Sequence, residues 1–159
     1  KQQPTPLTQG PRTPMSSPRF ATAEDAQRGF YSAFERSDFI AMTTVWLHET
    51  SVVCVHPAGN ALCGWPEIER SWSAILSGGG LGRIEFEVLS TVIRAETAVF
   101  TGYEHIAPAG SGVTYAPVLA TNVYCRTPQG WKMTLHHASP TTQRNPKRAQ
   151  AAGTPPTRH

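Results

Sequence analysis

Val53-Cys-Val-His-Pro-Ala-Gly-Asn-Ala-Leu-Cys-Gly-Trp-Pro-Glu-Ile-Glu-Arg-Ser-Trp72 decides how this chain is read. Its first residues close a β-branched, apolar run, Ser51–His56 (SVVCVH), which predicts a short strand. The run stops at Pro57-Ala-Gly-Asn60, a cluster of turn formers. Gly64-Trp-Pro-Glu67 then opens a helix. Pro66 stands near its first position, where a missing N–H costs nothing, and Glu67 suits the positive end of the helix dipole. Ile68, Trp72, Ile75 and Leu76 give it one apolar face, and Ser77-Gly-Gly-Gly80 ends it.

Upstream, Thr22-Ala-Glu-Asp25 is a helix start, with a hydroxyl cap followed by acids. Ala26, Phe30, Ala33 and Phe34 recur at helical spacing to about Arg36. Ser37-Asp38 caps a shorter helix through Phe39, Met42, Val45 and Trp46. Downstream the period changes to two. Ile84, Phe86 and Val88 alternate with Arg83, Glu85 and Glu87 until about Arg94. Further strands are expected at Thr97–Ile106, Val113–Arg126 and Trp131–Ala138, with loops at Pro108–Gly112 and Thr127–Gly130. Three helices before four long strands is an α+β order, with helices that must cover one face of an antiparallel sheet.

The ends differ in composition from the middle. Residues 1–20 carry five of the 14 prolines and residues 141–159 three more, with little that is apolar. Such segments cannot bury enough surface to offset the entropy of ordering, so both are expected to be disordered tails around a domain at 21–140. The tails hold seven of the 14 basic residues and none of the 11 acidic ones. The middle therefore carries seven basic against 11 acidic side chains, a net −4, and the basic balance of the whole chain belongs to its ends. Basic residues this sparse make nucleic acid an improbable partner. Cys54, Cys63 and Cys125 lack the spacing of a zinc site or a disulfide scaffold, and their apolar settings predict buried free thiols in a reducing, cytoplasmic setting. No run of 18 apolar residues and no signal-peptide core is present, so no membrane partner is expected. The chain starts at Lys1, and Met15 opens a stretch (MSSPRFATAED) that reads as a native start.

Two blocks carry a family resemblance. The Val53–Trp72 stretch resembles the SnoaL-like pattern of strand, His-Pro-x-Gly turn, glycine, and helix with Ile and Trp four residues apart. Thr121-Asn-Val-Tyr-Cys-Arg126 with Gly130-Trp-Lys-Met-Thr-Leu-His-His-Ala-Ser139 resembles the final hairpin of these domains, including the association domain of calcium/calmodulin-dependent kinase II. The resemblance covers about residues 21–140. It implies membership of the SnoaL-like branch of the nuclear transport factor 2 superfamily: a curved antiparallel sheet wrapped around a helix as a cone-shaped α+β barrel, a pocket between them, and commonly a homodimer. Relatives include isomerases, cyclases, dehydratases and non-catalytic modules, so function must come from the site.

Strand parity nominates the site residues. Trp131, Met133 and Leu135 share a face with His137, which makes His137 the expected inward histidine and sends His136 outward. His56 ends the first strand before the turn, where it either caps that turn or acts as a pocket acid or base. Asn122 stands where the kinase association domain places a polar pocket residue, and Tyr124 shares its parity. Tyr31, Trp46, Trp72 and Tyr103 are further lining candidates. Glu104 and His105 are adjacent on a strand and must face opposite sides. The enzymatic relatives use a pocket aspartate, whereas Asp25 and Asp38 both sit at helix starts. His56 and His137, even with Glu104 or His105, give too few convergent ligands for a metal, and no cofactor is expected.

These features lead to a small-molecule-binding domain. If catalytic, it would transfer protons without a cofactor on a small apolar or polyketide-like substrate, as an isomerase, cyclase or dehydratase. His56 and His137 would then be catalytic, with Asn122 or Tyr124 polarising a carbonyl. The alternative is a non-catalytic dimerisation or association module.

Overall fold

Helix starts chosen by capping chemistry set the first half of the fold. The computed structural model describes residues 19–79, 82–108, 110 and 115–141; the tail expectations for 1–18 and 142–159, and most of the expected Pro108–Gly112 loop, lie outside these residues. Helix α1 (Ala23–Glu35) begins with a capping box, in which the Thr22 hydroxyl accepts from the Asp25 backbone N–H while the Asp25 carboxylate accepts from Thr22. Asp38 caps α2 (Phe39–Val45) by accepting from the Ala41 N–H at 2.8 Å. Helix α3 (Trp65–Ser77) starts after Gly64, whose φ of +83° only glycine adopts comfortably.

The strands are β1 (Val53–Val55), β2 (Ala61–Cys63), β3 (Arg83–Ile93), β4 (Thr97–Ala107), β5 (Val118–Thr127) and β6 (Gly130–Pro140). They form one open six-stranded sheet in the order β2-β1-β6-β5-β4-β3. Strand β2 is an addition to the elements read from the sequence: Ala61-Leu-Cys63 has no β-branched residue, and it folds back on β1 because the His56–Gly59 turn reverses the chain. The sheet is also not wholly antiparallel, since β1 runs parallel to β6. Three helices against this curved, unclosed sheet make the cone-shaped α+β fold.

Helix α1 packs on the concave face, against β3, β5 and β6. Phe30 is the hub of the core, edge-on to Tyr31 at 5.0 Å and to Trp72 at 5.5 Å. The fold also reaches beyond residue 21: Phe20 is buried, its carbonyl accepts from Trp131, and its ring occupies the space that a side chain at Gly29 would need.

Two irregularities bend the long strands. One interrupts β3 between Val88 and Ser90, the other β6 opposite Val123 and Tyr124, where Thr134 is the extra residue. Beside the first stands Gly102. A Cβ there would lie 2.3 Å from the Glu87 carbonyl oxygen and 2.6 Å from the Phe86 ring. The Phe86 ring instead lies over the bare backbone and stacks on Tyr31 at 5.2 Å. Gly102→Ala is therefore expected to destabilise the fold by at least about 1–3 kcal/mol, because backbone cannot step aside as a side-chain tip can. Urea unfolding measures it, and a loss below half a kilocalorie would refute the close approach.

Candidate functional site

A cavity of about 180 Å³ lies between α1, α3 and the sheet. Phe30, Trp72, Ile84, Glu104 and His136 form its buried floor, and the more accessible Phe34, His56, Pro57, Ile75 and Ile106 surround its mouth.

The β6 bulge decides which histidine enters. Trp131 and Met133 face the core, but Thr134 takes an extra position, so the phase inverts and His136 and Ala138 become the inward residues. His137 is exposed on the outer face. The parity reading that put His137 inward assumed an unbroken ladder, and it is corrected here: His136 is 3% exposed and lines the cavity.

Parity holds on β4, where Ala98, Phe100, Gly102, Glu104 and Ile106 point inward and Tyr103 and His105 outward. Tyr103 thus belongs to the outer face, not to the cavity. His105 is bonded there to Glu87 at 3.0 Å. Glu104 enters the cavity as a carboxyl 3% exposed. The carboxyl that the sequence seemed to lack is thus a strand-borne glutamate rather than an aspartate. Its signal was the acid set into an inward row of small and apolar residues.

A directed hydrogen-bond chain joins these groups. Tyr31 Oη donates to Glu104 Oε1 at 2.9 Å. Asn122 Nδ2 donates to Tyr31 Oη at 2.9 Å and to Gln27 Oε1 at 3.2 Å. Tyr124 Oη donates to the same Gln27 oxygen at 2.7 Å. With the amide of Asn122 oriented by these bonds, its Oδ1 must accept from His136 Nδ1–H, at 2.7 Å. His136 is then a neutral imidazole with its Nε2 lone pair unprotonated. Asn122, Tyr124 and Tyr31 therefore hold the lining residues from behind, while Trp46 is buried beside Met133, away from the cavity. Gln27 was not anticipated, because a polar residue in a helix reads as surface.

Burial pushes the Glu104 carboxyl up to about 7, against the pull of the Tyr31 hydroxyl. Burial, with the neighbouring His56 and His137, pushes His136 down to about 3. Burial also holds His56 below its ordinary range; its Nε2 lies 2.9 Å from Ser71 Oγ, and its ring stands edge-on to Trp72 at 4.9 Å. Burial first, and Glu104 second, push the Cys54 thiol up to about 12. Of the other cysteines, Cys63 is exposed and Cys125 half-buried, so burial of all three thiols does not hold; all are free. Among the described residues Trp72 Nε1–H, itself buried, finds no hydrogen-bond partner. Among the described residues no group of three His, Cys, Asp or Glu side chains could hold a metal ion, and no helix is long and apolar enough to cross a membrane.

The family comparison agrees with this architecture. The SnoaL-like domain matches residues 23–143. The chain belongs to the SnoaL-like domain family. Among solved structures, this SnoaL-like chain is similar to a Thiobacillus denitrificans protein described as a calcium/calmodulin-dependent protein kinase type II association domain. The two are 32% identical with a TM-score of 0.72, over 77% of this chain and 98% of that one. It is also similar to a Streptomyces avermitilis protein described as a dehydratase of the nuclear transport factor 2-like family. That likeness is 35% identity and a TM-score of 0.63, over 74% and 92% of the two chains. Among curated proteins it is 26% identical over 110 residues to the Arabidopsis thaliana F-box protein SKIP8, covering 69% of this chain. The chain spans about half, 46%, of that relative's length.

Proposed function

We propose that this SnoaL-like domain binds a small molecule with an apolar body in the α1–α3–sheet cavity and transfers a proton with Glu104, without a cofactor. The observation that carries this reading is a carboxyl raised to about 7 on the floor of an aromatic cavity. A group that titrates near neutrality can both give and take a proton, which general acid–base catalysis requires. Tyr31 steadies the carboxyl and Asn122 sets His136 as a hydrogen-bond acceptor. Such a set suits elimination of water or migration of a double bond, and the likeness to a protein described as a dehydratase supports that class. His56 assists at the mouth as a neutral base, and the earlier role for His137 passes to His136.

The test is turnover on a substrate found by screening small carbonyl and hydroxy compounds, followed by loss of water or deuterium exchange. Glu104→Gln is expected to lose about 10²–10⁴-fold in kcat, while His137→Ala on the outer face stays within about twofold of wild type. Full activity in Glu104→Gln, or an equal loss in His137→Ala, refutes the assignment.

A second reading, an association module, is favoured by exposed Val88, Leu89, Val92 and Ile93 on the edge strand β3. It predicts a homodimer, which sedimentation equilibrium tests. Three free thiols suit a reducing, cytoplasmic setting.

A further inference from the structure

We infer that the cavity selects small organic cations, ammonium or amidinium in character, with Glu104 as their counter-charge. The inference rests on the same cavity as the acid–base reading and gives it a ligand class.

Charge in this cavity is controlled by one residue. The titratable groups around Glu104 are Tyr31 from α1, Cys54 from β1, His56 from the turn after it, Tyr124 from β5 and His136 from β6. All are held uncharged near neutrality: the two phenols and the thiol are raised, and both imidazoles are lowered. Helix α3 and strand β3 contribute Trp72, Ile75 and Ile84 to the lining, and among the described residues no lysine or arginine lines the cavity. The cavity therefore carries either no charge or a single negative one. An anionic ligand meets repulsion without a compensating partner.

A cation gains twice. Glu104 accepts a described hydrogen bond on Oε1 alone, from Tyr31, so Oε2 can take a charge-assisted bond from an ammonium. The walls contribute as well: Phe30, Phe34 and Trp72 line the cavity, the two phenyl rings near-perpendicular to the indole at 5.5 Å and 6.2 Å, and a cation over an aromatic ring is attracted by it. A buried carboxylate is costly without a partner, and a ligand that supplies the charge removes that cost.

Benzylammonium, benzyl alcohol and benzoate, nearly equal in shape, test this by calorimetry on the full chain at pH 6 and pH 8. The ammonium is expected to bind at least about tenfold tighter than the alcohol at pH 8, and benzoate weakest of the three. A carboxyl that titrates at about 7 goes from about nine-tenths ionised at pH 8 to about one-tenth at pH 6, so ammonium affinity should fall about tenfold while that of the alcohol stays constant. Glu104→Gln should erase both the preference and its pH dependence. Glu104→Asp, which keeps the charge, should retain the preference. Equal or tighter binding of the alcohol, or a preference that survives in Glu104→Gln, overturns the cation inference. If the alcohol binds best and shifts the Trp72 and His136 resonances, the cavity still binds ligands and the acid–base reading stands. If none of the three perturbs those resonances, both fail.

Discussion

At pH 8 the Glu104→Gln protein should be more stable than wild type, by about 3 kcal/mol. The size follows from a carboxyl pushed from 4.5 to about 7 by burial, at about 1 kcal/mol or slightly more for each unit. Above pH 7 the native state holds a buried charge that the unfolded chain carries in water. Glutamine keeps an oxygen to accept from Tyr31 and carries no charge. As pH falls from 7 to 4.5 the native carboxyl is protonated and the unfolded one is not, so wild type recovers stability and the gap closes. His136 has the opposite sign. Its folded value is depressed to about 3, so the stability tied to its neutral form is lost as pH falls below 6.5. In wild type the two slopes oppose each other between pH 4.5 and 6.5 and the profile is nearly flat. In Glu104→Gln the histidine slope stands alone, and stability should drop by about 1 kcal/mol per pH unit over that interval. Urea unfolding across pH 4 to 9 measures both curves. A variant less stable than wild type at pH 8 would falsify the raised carboxyl. Stability and proposed function thus pull Glu104 in opposite directions.

The second large effect concerns Asn122. It is fully buried, accepts from His136 and donates to Tyr31 and Gln27. Asn122→Leu keeps the branched outline of the side chain but is bulkier, so some overpacking adds to the loss, and the His136 N–H is left buried without an acceptor. A cost of about 2–4 kcal/mol is expected, since an orphaned buried donor loses its full hydration. His136→Leu orphans the Asn122 oxygen and should cost a similar amount. The double variant removes both ends of the bond, and its loss should fall short of the sum of the singles by about 1–3 kcal/mol. Chemical denaturation of the four proteins gives the coupling. Additive losses would mean that the two side chains do not share the bond from which the histidine tautomer was inferred.

Much of this molecule can be read from local chemistry. Thr22, Asp38 and Gly64 announce their helices because capping is settled within four residues. The alternation in β4 correctly separates Glu104 from His105. What failed to read was set by partners distant in sequence. Nothing local to Trp131–Ser139 marks Thr134 as an extra residue; the bulge exists because β6 must match β5 while bending, and it exchanges the roles of His136 and His137. Strand β2 depends on a turn that brings it against β1, and Gln27 becomes a site residue only when α1 lies over β5. The carboxyl was present in the sequence all along. Its importance comes from burial, which composition does not report.

Gly102 carries no side chain, and through that absence it reaches the chemistry of the cavity. Because nothing projects from it, Phe86 lies flat and wedges Tyr31 into place, and Tyr31 solvates the carboxyl of Glu104. The proton affinity of the site is in this sense a mechanical property, inherited from how tightly two strands are allowed to nest. One hydrogen atom, where any other residue would have a carbon, sets the distance from which a phenol can tune an acid.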